Sequence, residues 1–574
     1  MCPICGIVNR NDEDASSQIS SMMGTLGGNS SAEAWLVSEG VSHSWQRDAQ
    51  AIRRQALGQV SFATREQDSE GPGFDSGGKL SVLYEGNLYN SENLRLSLAS
   101  KQHPTSESTA EIVAHLLGER YQNDLVAALK QVLPMLDGEF CLAATDGKQV
   151  VLMRDSAGLR PAFYAENDKL FAFASRKTAL WEIGLRNVRP LRTGMIASFG
   201  KAGIILDEAN PLSKMNIQVT ITDLAEAVDS YCPLLRAAVE KRLHNVKRVA
   251  VLVSGGVDSC LIAKLVSDMS AMRGIEVTIY TAGVEGAIDI EYAQRFAQEL
   301  GLKHKVRRLR QDEIESYIPR VAAAVEERDL VQIEAGIGVY AAVEMASQDG
   351  LKVIFSGQGP DELWGGYSWY PQVIAKDGYD GLLQNMWGDL ERADVETFDR
   401  ENRIAMAHGV EKVFPYADIE VVKLAMSVAP QLKITSAEDR VGKRPHREAA
   451  KRLGLPAQYA DRSKDAAQHG TGIHSTLDAI ARKNGFAPEL VDHVGYDSDK
   501  VSHEKLASST RYGYLYAEKE LWQTPQHIQF FFDSVAYRSN LLNEVERSRI
   551  EQFLKKAGTF LFNQGKTTAR DSYI

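Results

Sequence analysis

The sequence has little of several features that mark special classes of protein. Its 574 residues contain five cysteines, which give no disulfide framework and fit a reducing compartment. No run of about 18 apolar residues occurs, so we expect no membrane-spanning helix. The first residues lack a basic segment followed by a long apolar one, so we expect no signal peptide.

Charge of one sign is not concentrated anywhere in the chain. The net charge of −11 comes from acidic residues spread along the sequence, which argues against a nucleic-acid partner. With 44% hydrophobic and 25% charged residues the composition is that of an ordinary globular protein. The length predicts two or more domains. We therefore expect a cytoplasmic enzyme that acts on small molecules, without a membrane or nucleic-acid partner; a homodimer is left open.

The first 205 residues predict a layered α+β domain, because short strands and helices are separated by frequent glycine turns. A hairpin turn is expected at residues 145–147. The predicted strands are Leu80–Tyr84, Phe140–Ala144, Gln149–Met153 and Phe171–Phe173, and the predicted helices are 109–119 and 122–132.

After a polar connector at 206–225, strands and helices alternate. Alternation of this kind predicts a parallel sheet with its ligand site at the carboxyl ends of the strands. The predicted strands are 248–253, Glu276–Thr281, Lys305–Leu309 and 352–355, with helices at 228–243, 289–300 and on to about 347. Residues 481–574 predict a helical, aromatic-rich extension whose role is packing or an interface.

The stretch Ser254–Ser259, with the sequence SGGVDS, follows the apolar run Val249–Val253 and precedes a helical segment. Backbone amides converge on an anion in such a strand-to-helix turn, and glycines allow a close approach to phosphate. The loop lacks the G-x-x-x-x-G-K-[ST] pattern, so a pyrophosphate-gripping loop is favoured over a kinase-type one. An ordinary glycine turn is the alternative. The candidate nucleotide-binding residues here are Ser254, Gly255, Gly256, Asp258 and Ser259.

A second glycine-dense loop, Ser356–Tyr367, has the sequence SGQGPDELWGGY and follows the predicted strand 352–355. Asp361 on this loop and Asp258 on the first are suited to hold magnesium against one triphosphate. Two unrelated turns are the alternative, which is disfavoured because both loops follow strands of one parallel sheet.

Together the two motifs resemble the synthetase domain of the asparagine synthetase family, whose members carry an N-terminal glutamine amidotransferase domain. The resemblance covers residues 1 to about 480. It implies an Ntn-type layered αββα amidotransferase-like domain over 1–205, a linker over 206–225, and a parallel-sheet PP-loop ATP pyrophosphatase domain over 226–480. Further agreeing segments are Tyr89–Asn90, Asp137–Gly138, Arg154–Asp155, Thr281–Gly286, Phe414–Asp418, Lys443, Arg447 and Arg462–Lys464.

The resemblance also implies a reaction: ATP activates a carboxylate, aspartate in the first instance, as an acyl-adenylate, pyrophosphate leaves, and ammonia attacks. ATP and Mg²⁺ are the implied cofactors. Lys464 would stand beside the charge that develops during the reaction. Glu411 would hold the amino group of the acceptor, with a solvated surface glutamate as the alternative. The implied magnesium ligands are Asp258 and Asp361, and the residues implied to border the adenine are Leu252 and Gly357.

The amidotransferase half departs from the family pattern. Cys2 is the implied nucleophile after removal of Met1, with its own α-amine as base. The family's asparagine-glycine oxyanion pair is Glu85-Gly86 here, and a carboxylate would repel the oxyanion. The arginine and the aspartate that bind glutamine align near Ser61 and Thr109. We therefore expect a degenerate glutamine site.

One departure lies in the synthetase half, where asparagine-forming members commonly carry a glutamate and this chain has Gln358. Glutamine cannot accept a proton as a carboxylate does, so its help in the attack of ammonia is in doubt. An acceptor other than free aspartate is therefore the alternative to aspartate. Aromatic residues at 366–371 either line a larger acceptor pocket or belong to the core.

Three hypotheses follow. The first is a glutamine-hydrolysing amide synthetase of the asparagine type. The second is an adenylating ligase with an inactive glutaminase-like domain, which uses free ammonia, another amine, or an internal amine as in β-lactam synthetases. The third is a non-catalytic interaction protein, against which the retention of Asp258, Asp361 and Lys464 argues.

Overall fold

The computed structural model describes residues 3–11, 14–27, 33–38, 41–44, 55–61, 71–100, 108–200, 203–212, 215–463, 470–501 and 525–563. The chain forms two compact units. The first contains Met1–Asn216 together with His244–Val246 and Gly409–Glu411. The second contains Ile217–Leu243, Lys247–His408 and Lys412–Ile574. The domain boundaries drawn from the sequence remain predictions.

Among its described residues, the first unit contains two antiparallel sheets. One has the strand order β11-β9-β10-β1-β4-β2-β3 and the other β13-β12-β8-β7-β6-β5. The strands are β1 (Ile4–Asn9), β2 (Glu33–Ser38), β3 (Val41–Ser44), β4 (Gln55–Ser61), β5 (Gly73–Phe74), β6 (Ser81–Leu88), β7 (Gly138–Thr145), β8 (Val150–Arg154), β9 (Phe163–Glu166), β10 (Leu170–Ala174), β11 (Arg189–Pro190), β12 (Met195–Gly200) and β13 (Gly203–Glu208).

Alternating side chains of these strands build three apolar cores. Ile4, Leu83 and Phe173 belong to the core between the sheets, whereas Ile7 packs with one set of helices and Tyr84 with another. Alternation of this kind arises because successive strand residues point to opposite faces. The result is the αββα layering that the sequence predicted. The helices are α1 (Ser16–Gly27), α2 (Ser91–Ser100), α3 (Thr109–Gly118), α4 (Leu125–Val132) and α5 (Lys177–Glu182).

The predicted hairpin of the first unit is present. β7 pairs with β8 in antiparallel register, with Thr145 opposite Val150. Gly147 in the turn has φ of 79°, a left-handed conformation that favours glycine. β7 begins two residues before the predicted strand and ends one residue after it, whereas β8 begins and ends one residue later than predicted.

The second unit alternates strands and helices, as predicted. Its elements are α6 (Leu224–Arg242), β14 (Arg248–Leu252), α7 (Val257–Ala271), β15 (Glu276–Val284), α8 (Ile288–Glu299), β16 (Lys303–Leu309), α9 (Gln311–Val325), α10 (Leu330–Gln348), β17 (Val353–Phe355), α11 (Pro360–Trp364), α12 (Tyr370–Ala393), α13 (Asp399–Ala407), β18 (Glu411–Val413), α14 (Ile419–Ser427), α15 (Pro430–Lys433), α16 (Arg444–Arg452), α17 (Ala457–Ala460), α18 (Ile473–Lys483), α19 (Pro488–Val494), α20 (Ser498–Val501), α21 (Gln526–Arg538) and α22 (Glu544–Asn563). The first residue of β18, Glu411, groups with the first unit.

Its sheet has the order β16-β15-β14-β17-β18. The strands β16, β15, β14 and β17 pair in parallel, with Val251 opposite both Ile279 and Phe355. Val249, Ala250 and Val251 are fully buried, as expected for a central parallel strand covered on both faces. Because β14 and β17 are neighbours, the loops that follow them lie at the same edge of the sheet. This is where the sequence predicted the ligand site.

The C-terminal helices pack on the second unit through a buried polar cluster. Arg328 Nη1 lies 2.8 Å from Asp533 Oδ1, and Tyr496 donates to Asp533 Oδ2 at 2.7 Å. Asp533 has no exposed surface. Across the described residues, no helix combines the length and apolar character needed to cross a bilayer.

Candidate functional site

The first loop leaves the end of β14 and enters α7. Gly255 has φ of 74°, so the turn requires a residue that tolerates the left-handed region. Gly256 caps α7 without any side-chain hydrogen bond, and the start of a helix in this form is suited to bind an anion through its backbone amides. Ser254 N donates to Ser259 Oγ at 3.1 Å, which closes the loop.

The second loop leaves β17 and packs directly on the first. A Cβ on Gly357 would lie 2.8 Å from the Cα and N atoms of Ser259, closer than real contacts allow. Gly357 is thus required by the proximity of the two backbones. The short helix α11 then presents Asp361 in its first turn.

Lys443, which precedes α16, joins the two loops electrostatically. Its Nζ lies 2.8 Å from Asp258 Oδ2 and 2.7 Å from Asp361 Oδ1. Burial alone would lower the pKa of Lys443, but the two carboxylates outweigh it and the pKa is raised. His446 Nε2 lies 3.2 Å from the other oxygen of Asp258, and burial lowers the pKa of this histidine. Asp258 is therefore held between two nitrogen groups.

Arg462 holds the first loop from the opposite side. Its Nη1 donates to the carbonyl of Ser254 at 3.2 Å, and its Nη2 lies 3.1 Å from Asp289 Oδ1. Both charged side chains are buried. This pair fixes the position of the turn at Ser254–Ser259.

The two loops border a cavity of about 130 Å³ within the second unit. It brings together most of the residues predicted from the two motifs, while Gly255 and Gly256 shape the turn beside it. The predicted residues that line it are Leu252, Ser254, Asp258, Ser259, Gly357, Gln358 and Asp361, and further lining residues are Tyr280, Thr281, Asp289, Glu334, Glu401 and Thr471.

Comparison with known proteins identifies the family. The asparagine synthase family model matches residues 231–384 and 374–529, and a glutamine amidotransferase domain model matches residues 59–182. A Methanocaldococcus jannaschii protein, provisionally named asparagine synthetase (glutamine-hydrolyzing) 1, is 30% identical over 546 residues, which cover 86% of this chain and 97% of that protein. The chain belongs to the asparagine synthetase family. This confirms the resemblance read from the sequence.

Two further matches have lower identity to the chain. Asparagine synthetase (glutamine-hydrolyzing) 2 of Arabidopsis thaliana is 28% identical over 420 residues, 70% of this chain and 68% of that protein. Among solved structures, glutamine phosphoribosylpyrophosphate amidotransferase from B. subtilis matches with a TM-score of 0.32 and 17% identity, over 50% of this chain and 67% of that one. That score is too low to support statements about residues. Asparagine synthetases are ATP-dependent carbon–nitrogen ligases, and the predicted enzyme class is confirmed.

Several residues of the asparagine synthetase site were missed by the reasoning from sequence. Lys443 agrees with the family pattern in the sequence, but the sequence does not reveal its contact with Asp258, which lies 185 residues away in the chain. His446, Asp289 and Glu401 carry no local motif. Charge balance is the one signal that could have pointed to Lys443, because two carboxylates predicted to lie close together need positive charge nearby.

Two of the predicted catalytic residues remain predictions. Cys2 and Lys464 lie outside the described residues. Ser61 ends strand β4, and its side chain is likewise outside the description. Thr109 is the first residue of α3.

Glu85 and Gly86 lie on β6, where the family's oxyanion pair was aligned. Glu85 is fully buried, and Ser175 Oγ donates to its carboxyl group. Burial raises the pKa of Glu85, which favours the neutral acid. The sequence predicted repulsion of the oxyanion on the assumption that Glu85 is ionised and faces the substrate. In the structure the carboxyl group of Glu85 is buried and accepts a hydrogen bond from Ser175.

Glu411 was predicted to hold the acceptor. The structure places its carboxylate within the first unit, where Arg160 Nη2 donates at 3.1 Å and Asn87 Nδ2 at 2.5 Å. Both Glu411 and Arg160 are almost completely buried. Because Glu411 is buried, the solvated alternative is wrong. Glu411 is not among the described residues that line the cavity, and the acceptor role remains a prediction.

Proposed function

We propose that this chain uses ATP to activate a carboxylate as an acyl-adenylate, releases pyrophosphate, and converts the adenylate to an amide. The observation that carries this is the convergence of Asp258 and Asp361 on one lysine ammonium, from loops at the ends of two adjacent parallel strands. A site for cleavage between the α and β phosphates needs acidic metal ligands and cations at one point.

The residues of the site fit a magnesium ion. Asp258 and Asp361 supply carboxylate oxygens, the ligands that this hard cation prefers. Their shared contact with Lys443 supports the inference that positive charge belongs between them. These two aspartates would hold the ion, which would neutralise charge on the departing pyrophosphate.

The chain's own groups would position the nucleotide. The amides of the turn at Ser254–Ser259 would bind phosphate oxygens, held in place by Arg462. Leu252 and Gly357 would border the base, and both line the cavity. Lys464 would stabilise the charge on the adenylate during transfer, as the family pattern implies.

Aspartate is the first acceptor to test, since the family makes asparagine. A second candidate acceptor is a carboxylic acid without a free α-carboxylate. It is favoured by Gln358 and by the composition of the cavity wall, whose described residues include no lysine or arginine to bind a second carboxylate.

The nitrogen source depends on whether Cys2 acts as a glutaminase nucleophile. An active glutaminase half would deliver ammonia from glutamine, whereas a degenerate one would leave free ammonia or another amine as the donor. The buried Glu85 carboxyl group supports the second alternative, since the family's amide is absent from that position.

The test is an AMP-release assay with ATP, Mg²⁺ and L-aspartate, comparing glutamine with ammonium chloride. We expect AMP and pyrophosphate in equal amounts with the amide when ammonium is the donor. A Cys2→Ala variant should retain the ammonium reaction. If it also retains the glutamine reaction, or if wild type shows none, the glutaminase half is inactive. Release of ADP in place of AMP would contradict the proposal.

A further inference from the structure

A buried carboxylate that belongs to no sequence motif lies in the cavity beside Gln358. Glu401, near the start of α13, is 1% exposed and lines the cavity. Gln358 Nε2 lies 3.3 Å from Glu401 Oε1, and Ser356 Oγ lies 3.4 Å from Oε2. Both partners belong to the second loop. The second loop has a glutamine at residue 358 where a carboxylate would be expected. Two hydrogen-bond donors of this loop instead point at a carboxylate that α13 supplies.

A lysine stands behind this carboxylate. Lys412, on β18, has no exposed surface, and its ammonium group contacts Glu401 Oε2. Burial lowers the pKa of Lys412, and Glu401 opposes that effect. Arg400 Nη2 lies 3.9 Å from Glu401 Oε1. Lys412 therefore fixes Glu401 Oε2 from behind, while Glu401 Oε1 faces Gln358 at the cavity wall.

We propose that Glu401 accepts the proton that is released when an amine attacks the acyl-adenylate, the step in which Gln358 cannot serve as a base. This inference rests on the proposed function. In this step the nitrogen–carbon bond forms and the bond from the carbonyl carbon to the AMP oxygen breaks. AMP leaves with that electron pair, and one proton passes from the nitrogen to the Glu401 carboxylate.

A purely structural ion pair is a poor explanation for this arrangement. Burying a charged pair costs desolvation energy, and apolar residues of similar size are often as stable. Glu401, the acidic member of the pair, lines the cavity. Lys412, the basic member, is on β18 and is not among the described residues that line the cavity. Gln358 then orients the carboxylate through its amide.

The first arm of the test separates activation from nitrogen transfer. Exchange of labelled pyrophosphate into ATP reports adenylation and needs no amine. A panel of L-aspartate, L-glutamate, succinate and N-acetyl-L-aspartate selects the acid that gives the fastest exchange. With that acid, Glu401→Gln should leave exchange within about threefold of wild type and lower amide formation from ammonium by about 100-fold, the typical worth of a general base.

The second arm moves the carboxylate. The double variant Gln358→Glu/Glu401→Gln restores a carboxylate to the cavity on the other loop, and we expect it to recover amide formation to within about tenfold of wild type. The matched control is Glu344→Gln, which removes a buried carboxylate that pairs with Arg320 on the same unit but does not line the cavity. The control should form amide at the wild-type rate.

The pH profile supplies a readout that a structural role would not change. At a fixed concentration of free ammonia, amide formation by wild type should rise with pH along an acidic limb, and Glu401→Gln should lose that limb while the exchange profile stays unchanged. Equal losses of exchange and amide formation in Glu401→Gln, or unaltered amide formation, would overturn the role of Glu401. Absence of exchange in wild type with every acid would instead overturn the proposed function.

Discussion

At the scale of single residues, Lys433 is a buried lysine beside the second loop whose charge is unfavourable for folding. It has no exposed surface, its Nζ has no hydrogen-bond partner among the described residues, and it lies 5.7 Å from the Trp364 ring of the second loop. Burial lowers the pKa of Lys433 to about 7. An ammonium without a partner in such surroundings opposes folding.

The first residue-scale prediction is that Lys433→Met stabilises the protein. Between pH 7 and about 10.4 the unfolded chain carries this proton and the folded chain does not, so native stability rises with pH in that window. The gain from methionine should therefore be largest below pH 7, about 2 kcal/mol, and smallest above pH 10. Thermal unfolding at pH 6 and pH 9 measures it. Lys423→Met, at an exposed lysine paired with Glu420, should show no comparable pH-dependent gain.

At the scale of elements, the site depends on the close contact between two loops. Gly357 lies against the backbone of Ser259, and backbone atoms in a packed site cannot move aside cheaply. The first turn of α7 and the end of β17 therefore form one surface, and any atom inserted between them must displace the turn at Ser254–Ser259.

We predict that Gly357→Ala weakens binding of magnesium-ATP at least about tenfold, because a misplaced turn loses phosphate contacts worth about 1.4 kcal/mol or more. Isothermal titration measures this directly. Gly388→Ala is the control, since a Cβ there meets only the tip of the Arg392 side chain in α12. Unchanged ATP affinity in Gly357→Ala would show that the two loops do not act as one surface.

The elements and the two loops could be predicted from sequence because their signals are local. The apolar run Val249–Val253 predicts a buried strand, and the glycines that follow predict the turn. The contacts of Lys443, Glu401 and Lys412 could not be predicted, since each joins segments that only the folded sheet brings together. Glu411 shows the same limit: its burial against Arg160 depends on residues 251 positions away.

At the scale of the whole molecule, the chain combines two compact units with separate chemistry. The described residues that line the cavity all belong to the second unit. Activation of the carboxylate should therefore be independent of Cys2, while any use of glutamine should depend on it. We expect the departures at Ser61, Glu85 and Thr109 to affect the nitrogen source alone.

Exchange of labelled pyrophosphate into ATP tests the central claim most directly, since it reports reversible cleavage between the α and β phosphates at the cavity. We expect exchange in wild type that requires both Mg²⁺ and a carboxylic acid, with Cys2→Ala unchanged and both Asp258→Asn and Asp361→Asn reduced about 100-fold or more. No exchange in wild type with any acid of the panel, or full exchange in Asp361→Asn, would contradict the account.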